Sequence, residues 1–579
     1  MRFLAIIRRA AVLALKIHQR EFFLFAAAVF FFFIYLFLYL NPVVSEISPN
    51  KFVGRGQTSA YFVLNSPDEA ANFFFIRQLV FFNKFYSREN LNALALNQVH
   101  PRSATVVNKN IVPISFPGFI VLSSLIIKLL SFIFSWNLFN VFATALTPAA
   151  GALTSFFFYG LLKRIFDKKI AFVSAFLLFI LPPWWYYASI SFQHNTFFVF
   201  LLVAACYFYF LSRESSCEAN GKRAVFWVFF STLAAGLAVY VRPSEIIWLG
   251  ALCFAGIWQA RKILGIRGLF AIAAALLLSA ALFFITQFLF YNSFFGSGYV
   301  QPTLAGEAGS IFSGPQGINF WQAIFLPFGF HPSSIANNVV LYFFYFFKSW
   351  TLLFLAGLFL IVFLFKNKLV KTARFFSYAK FFFPIAAYIL IFYGSWNFYD
   401  NLLRIHSIGT SYVRYFLPIY VFSLPFGAFF IVYLWQIKRK IAKVLTIFLL
   451  AGLFAGSYNE VFLKLDGLNM IKETVSVYKT WQEKIYRLTE PEAIIVTKYA
   501  DKYIFPGRRV ITGLENDEQL QAIVNLSQDG QKIYWYDLKL NELQKKALAD
   551  KLNSRGLSLS EPVGAWENLE LRRIGLTER

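Results

Sequence analysis

The sequence predicts a polytopic α-helical membrane protein of about eleven transmembrane helices, with a small extramembrane α/β domain at its C-terminal end. Three observations carry that expectation. Of 579 residues, 58% are hydrophobic, 20% aromatic and only 14% charged, against roughly 25% charged in a soluble domain. The basic residues sit in short runs between apolar segments, as they do in the cytoplasmic loops of membrane proteins. From about residue 459 the chain turns polar. The formal charge of +25 would fit a nucleic-acid partner, but its scatter between spans is a topology signal and no nucleic acid is expected. Three cysteines, Cys206, Cys217 and Cys253, show no metal-ligand or disulfide spacing.

The first span is the run 22–40, long enough for the ~20 residues a bilayer needs. It lacks a small-residue cleavage site, so it is expected to be retained. Basic clusters fall at 2–20, 163–169 ("KRIFDKK"), 213–223, 261–267 ("RKILGIR"), 366–380 and 438–443 ("KRKIAK"). Placing all of them in the cytoplasm sets the spans at 22–40, 138–161, 170–188, 195–211, 225–241, 245–259, 269–290, 341–365, 381–396, 415–436 and 442–458, with the N-terminus inside and the C-terminus outside. The segment 117–136, "PGFIVLSSLIIKLLSFIFSW", is equally apolar, but counting it would put "KRIFDKK" outside. With Lys128 at its middle, it is expected to be an interfacial or re-entrant helix.

The transmembrane domain thus covers 1–458 and includes a long first external loop, 41–137. Further external loops are expected at 291–340 and 397–414. The tail, 459–579, is expected outside as a separate α/β domain. In it "AIIVTKYA", "KIYWYDL" and "ENLELRRIG" read as strands, and "NDEQLQAIVNLSQ" and "NELQKKALADKLNSRG" as amphipathic helices.

Candidate chemistry begins at "YFVLNSPDEAANFFFIRQL", residues 61–79, which sets Asp68 beside Glu69 at the head of the first external loop. The plain reading is a helix start. Ser66 is an N-cap, Pro67 suits the first helical position, Glu69 completes an S-x-x-E capping box, and Asp68 meets the positive end of the helix dipole. The company it keeps adds a second reading. The same loop holds "VHPRSATVVNKNIVPISFPG", with His100, Arg102 and Lys109. Arg242 in "VYVRPSEII" ends the fifth span, and Arg414 and Tyr415 in "SYVRYFLPIY" precede the tenth. Each arginine alone reads as a snorkelling side chain. Together, on the side that basic residues avoid, they make a cationic site for a lipid phosphate. His331, in "FGFHPSS" of the second large loop, is a further candidate.

The acidic pair of "SPDE", the arginine-proline that ends the fifth span and the "RYFLP" that opens a late one resemble the GT-C superfamily of integral-membrane glycosyltransferases. The likeness is nearest to the protein O-mannosyltransferase and aminoarabinose-transferase branch, and it covers roughly residues 20–440. It implies a GT-C-like fold and transfer of a hexosyl or pentosyl unit from a polyprenyl-phosphate-linked sugar donor, at the external face of the plasma membrane. The acceptor is then a protein or a glycan or glycolipid hydroxyl, and membrane lipids are the remaining partner. The first-loop carboxylate as catalytic base falls to Asp68. Related enzymes often carry an acidic residue in the next external loop. This chain has His194 and Asn195 there, which leaves a divalent metal open, although no cofactor is expected.

The chemistry suits few charges. Phosphate is a good leaving group, so one base and positive charge on the departing oxygen suffice. Neighbours on a helix point to different faces, so Asp68 and Glu69 are not the facing carboxylates of a hydrolase. Glu69 is assigned to positioning or acceptor binding. A nucleotide-sugar donor is disfavoured, because no Gly-rich phosphate loop follows a strand. A transporter or lipid-linked-sugar flippase is the alternative. Its signature would be ionisable groups near mid-span, whereas the distinctive charges here lie near span ends and in loops. A third reading is an acceptor-binding or assembly protein without catalysis.

Overall fold

The computed structural model describes residues 19–43, 63–217, 221–296, 325–366, 373–396, 398 and 406–577. It divides into two compact units. The first takes residues 1–39, 144–281 and 310–470; the second takes residues 40–143, 282–309 and 471–579.

The first unit is helical because its segments are apolar on nearly every side. A run such as Leu417–Gln436 shows little amphipathicity and is 72% buried, the pattern of a helix enclosed by apolar neighbours. Among the described residues, nine helices are long and apolar enough to cross a membrane. A tenth is the bent pair Lys168–Ile180 and Pro182–Ser189, which meet at 56°, where Pro182 and Pro183 cannot continue the preceding helix. The sequence suggested about eleven, and the difference lies at 245–259. That segment is helical but belongs to the continuous run Ile246–Tyr291, broken at Gly265 (φ 59°, ψ −149°), and only Ile263–Tyr291 meets the length and hydropathy of a span. The segment expected to lie at the interface forms the helix Gly118–Ile133, 16 residues long. It buries Phe119, Ile120 and Ile127 and leaves the equally apolar Leu125, Leu129 and Phe132 exposed; at this length it falls short of the described helices that could cross a membrane.

Helices Lys348–Lys366 and Leu417–Gln436 approach closely through glycines. A Cβ on Gly357 would stand 2.0 Å from the carbonyl oxygen of Phe426, and one on Gly427 2.8 Å from Cγ of Leu353. Small residues let helix backbones come this near.

The second unit begins with the helix Pro67–Phe82. A small antiparallel sheet follows, made of β1 (Ser87–Arg88), β2 (Ala104–Val107) and β3 (Asn110–Pro113) in the order β1-β3-β2. Asn108 and Lys109 turn the β2–β3 hairpin with φ of 49° and 66°, the double positive φ of a two-residue type I′ turn that asparagine tolerates. The tail adds a five-stranded sheet of β4 (Ile494–Thr497), β5 (Arg509–Thr512), β6 (Ile533–Leu538), β7 (Leu557–Trp566) and β8 (Leu569–Leu576), in the order β5-β4-β6-β8-β7. β4 runs parallel to both β5 and β6, and β6-β8-β7 is antiparallel.

The strands and helices anticipated in the tail are all present, and β5 and β7 join them. The pleat of β4 separates two cores. Ile494 and Val496 pack on one face with Ile511, Ile523 and Trp535, while Ile495 packs on the other with Ile485, Val510 and Tyr536. Residues far upstream complete both cores. Ala95 and Val99 enter the first and Val63 the second. Val99 also forms an antiparallel bridge with Ile511, which covers the open edge of β5.

The glycine approach is testable. Gly357→Ala should destabilise the protein by roughly 1–3 kcal/mol through overpacking, read as a lower Tm in detergent. Gly452→Ala, where no atom lies within 4 Å of the added methyl, should hold or raise it. Equal Tm values for the two variants would count against the close approach.

Candidate active site

The helix Pro67–Phe82 opens with the predicted capping box. Ser66 Oγ accepts the Glu69 N–H at 3.2 Å, and Glu69 Oε2 accepts the Ser66 N–H at 2.9 Å. Glu69 is fully buried. Asp68 takes no part in that box. Its carboxylate is half-buried and Oδ1 accepts the Ser103 hydroxyl at 2.9 Å. The two adjacent carboxylates therefore face different partners, as neighbours on a helix must.

Arg102 stands next to Ser103 and is committed to the tail. Its backbone N–H donates to Asp501 Oδ2 at 2.8 Å and its Nε to Oδ1 at 2.8 Å. A second guanidinium nitrogen lies 2.7 Å from Oδ1, and Asp501 is 0% exposed. The guanidinium also donates to the Tyr499 carbonyl at 3.0 Å and sits over the Tyr499 ring. His100 is half-buried; desolvation lowers its imidazole from the usual range, against the opposing pull of the backbone hydrogen bond to Pro101 and of Asp501. Lys109 is exposed at the hairpin tip.

In the first unit the structure gathers residues from four parts of the sequence. Arg242 follows the helix Gly221–Val241 and is 4% exposed. It pairs with Glu245 Oε1 at 2.8 Å, donates to the Tyr393 hydroxyl at 2.8 Å and donates to Asn195 Oδ1. Tyr393 donates to the same Glu245 oxygen at 2.6 Å, and Trp248 Nε1 donates to Oε2. The guanidinium carbon lies 4.9 Å from the centroid of Tyr415, which stacks on Tyr393 at 4.5 Å. Arg414 approaches the same Tyr415 ring at 5.3 Å and donates to Ser411 Oγ at 2.9 Å. Two guanidiniums thus share one aromatic ring, whose quadrupole attracts each of them while their like charges repel. Arg414 is the half-buried member.

His194 begins the helix His194–Cys217, half-buried beside Asn195. His331 lies apart from the arginine cluster in sequence and contacts. It is exposed, precedes the helix Pro332–Val339 and donates its backbone N–H to Ser395 Oγ at 3.3 Å. Sequence reading missed Glu245, Tyr393, Ser103 and His406, whose Nδ1 lies 2.9 Å from the Tyr342 hydroxyl. Glu245 had a signal, because "RPSE" places it three residues after Arg242. Tyr393 had none. Among the described residues, no group of three His, Cys, Asp or Glu side chains is arranged to hold a metal ion.

Residues 120–290 match the family model described as dolichyl-phosphate-mannose-protein mannosyltransferase. No curated protein matches the chain. Among solved structures, the archaeal oligosaccharyltransferase AglB from Archaeoglobus fulgidus, in complex with an inhibitory peptide and a dolichol-phosphate, aligns with 95% of this chain and 74% of its own at 13% identity, with a TM-score of 0.51. The chain has the GT-C fold. ArnT from Cupriavidus metallidurans bound to undecaprenyl phosphate aligns with 95% of this chain and 97% of its own, at 11% identity and a TM-score of 0.49.

The buried cluster has a stability signature. Glu245→Gln removes the countercharge of a nearly inaccessible Arg242 and should cost roughly 3–5 kcal/mol. Tyr393→Phe removes one hydroxyl and should cost about 0.5–1.5 kcal/mol. Thermal unfolding of both variants checks the order, and a Glu245→Gln protein as stable as wild type would contradict it.

Proposed function

We propose that this protein is a membrane glycosyltransferase. It moves a hexosyl or pentosyl unit from a polyprenyl-phosphate donor to an acceptor hydroxyl at the external face of the cell membrane, with Asp68 as the base. The GT-C fold and the family match over residues 120–290 support the reaction class. The observation that carries the role of Asp68 is the division of labour at the helix start. Ser66 and Glu69 make the cap between them, while the Asp68 carboxylate stays outside that box, half-buried at the helix start and hydrogen-bonded by Ser103.

In this reading the acceptor oxygen attacks the anomeric carbon and Asp68 takes its proton. The bond from that carbon to the phosphate oxygen breaks, and the electron pair leaves with the lipid phosphate. Positive charge stabilises the departing phosphate. Arg414 on Tyr415 supplies it, with Arg242 and its partners fixing the ring below. Glu69 is buried in the cap and serves to position the helix rather than to touch the acceptor. Arg102 is a strut, and Lys109, His194 and His331 are left for donor or acceptor contacts. Residues 1–458 form the membrane part, 459–579 lie outside, and the acceptor is a protein, glycan or glycolipid hydroxyl. No cofactor enters the scheme.

A panel of radiolabelled polyprenyl-phosphate sugars offered to the purified protein tests the reaction class; transfer from none of them would remove it. Asp68→Asn should lower transfer by roughly 10²–10⁴-fold. As a cap residue alone, Asp68 would forfeit only ~0.3–1 kcal/mol of dipole interaction on the same change. Full turnover in a folded Asp68→Asn protein would end the base assignment. Arg414→Ala should raise the donor KM more than it lowers kcat.

The placement has its own check. In a background without native cysteines, Lys109→Cys and Ser554→Cys, both at exposed positions, should react with an impermeant maleimide added to intact cells. Protection of both until the cells are opened would invert the topology.

A further inference from the structure

The tail reaches the acidic helix start through two consecutive residues. Asp501 is fully buried, with 0% exposure. Its Oδ2 accepts the backbone N–H of Arg102 at 2.8 Å, and its Oδ1 accepts Nε of the same residue at 2.8 Å. Backbone and side chain of Arg102 are thus gripped by one carboxylate, in the bidentate manner that fixes geometry as well as charge. The next residue, Ser103, is 7% exposed and spends its hydroxyl proton on Asp68 Oδ1 at 2.9 Å. The Ser103 backbone is held from the other side as well, because its carbonyl accepts the Ile114 N–H at 3.1 Å and β2 begins at Ala104, which pairs with Pro113 of β3. The acidic helix is tied to the same region a second time, since the rings of Phe74 and Phe505 meet at 4.7 Å.

We infer that Asp501 is a positioning residue for the reaction: it fixes the Arg102–Ser103 segment so that Ser103 orients the carboxylate of Asp68. This rests on the reading of Asp68 as the base. The tail then has a task in the reaction itself, beyond meeting an acceptor. A carboxylate on a helix start can rotate about its own side-chain bonds; the Ser103 hydroxyl selects one orientation, and Asp501 holds the hydroxyl in place. Misplacing a catalytic group by about 1 Å costs on the order of 10²-fold in rate, which bounds the effect.

Two other pairs in the same unit show what a merely structural tie looks like. Arg509 pairs with the buried Glu89 at 3.2 Å and also with Glu492. Neither contact touches the 102–103 segment, so Arg509→Gln supplies a control that loosens this unit without reaching Asp68.

The test uses the full chain in detergent with the polyprenyl-phosphate sugar that wild type turns over. Ser103→Ala should lower kcat roughly 10–100-fold with the donor KM unchanged. Asp501→Asn should do the same, and Arg102→Lys, which keeps the charge but loses the fork, should fall between it and wild type. The Ser103→Ala/Asp501→Asn double variant should lose little more kcat than the worse single variant, because both act on one carboxylate. Arg509→Gln should lower Tm and leave kcat alone. If Asp501→Asn does not fold, Ser103→Ala and Arg102→Lys carry the test. Wild-type kcat in folded Ser103→Ala, or a kcat loss in Arg509→Gln equal to that in Asp501→Asn, would overturn the inference.

A readout without turnover runs beside it. The Tm losses of Asp68→Asn and Ser103→Ala should fall short of adding in the double variant, as for residues in one network, and strict additivity would contradict the link. Full activity in Asp68→Asn removes the base reading. An inactive Asp68→Asn beside an unimpaired Ser103→Ala removes only the positioning role.

Discussion

Hydrocarbon offers no partner to a backbone N–H or C=O, and an unsatisfied one costs several kcal/mol. That constraint arranges the rest of this protein. It forces the apolar segments into helices and leaves the irregular backbone described between them to the places where helices end. The functional candidates follow the same geography. Asp68 stands at a helix start, Arg242 between Gly221–Val241 and the next helical run, His194 at the head of a helix and Arg414 in the short turn before Leu417–Gln436. At the Asp68 break the backbone is satisfied by a capping box, which Ser66 and Glu69 make for one another.

Three of the buried charges come in pairs. Arg242 has Glu245, Arg102 has Asp501 and Arg509 has Glu89, and one member of each pair is 4% exposed or less. Such pairs seldom add net stability over well-packed apolar residues, yet removing one partner is costly. Their effect is to make one arrangement far better than its neighbours. Around Arg242 this is visible in the aromatic company. Three rings approach the guanidinium, and one of them, Tyr415, is shared with Arg414. Holding two like charges on one ring requires that something fix both. The Glu245 carboxylate and the Asn195 amide fix Arg242, and Ser411 fixes Arg414.

Local signals in the sequence were legible where the physics is local. "SPDE" spelled out a capping box, and hydropathy marked the helical runs. The short apolar, β-branched run of "AIIVTKYA" marked β4, and Lys128 kept Gly118–Ile133 from reading as a span. Elements shaped by distant partners were not legible. β5 is a strand of four residues that owes its place to β4 on one side and to Val99 on the other. β7 carries Pro562 and two register shifts, which erase alternation. The grip of Asp501 on Arg102 spans 399 residues, and the meeting of Tyr393 with Arg242 spans 151. Neither leaves a mark on spacing, because the chain between them is free to vary.

The polar tail is best understood from the weakness of what it supports. A helix of 16 residues is marginal by propensity alone and takes most of its stability from packing. Five phenylalanines in Pro67–Phe82 would leave much apolar area to cover. The tail meets part of that need with Phe505, and Val63, just ahead of the cap, joins the core of Ile485 and Tyr536. The upstream residues return the service by closing the edge of β5 and filling a core with Ala95 and Val99. Each part is incomplete alone, so the rigidity at Ser66–Glu69 and Ser103 is a property of the assembled unit. A carboxylate on a surface loop would have to be ordered before it could act, at a cost of about 1–2 kcal/mol per residue fixed; at Asp68 the capping box and the Ser103 hydrogen bond already hold the segment.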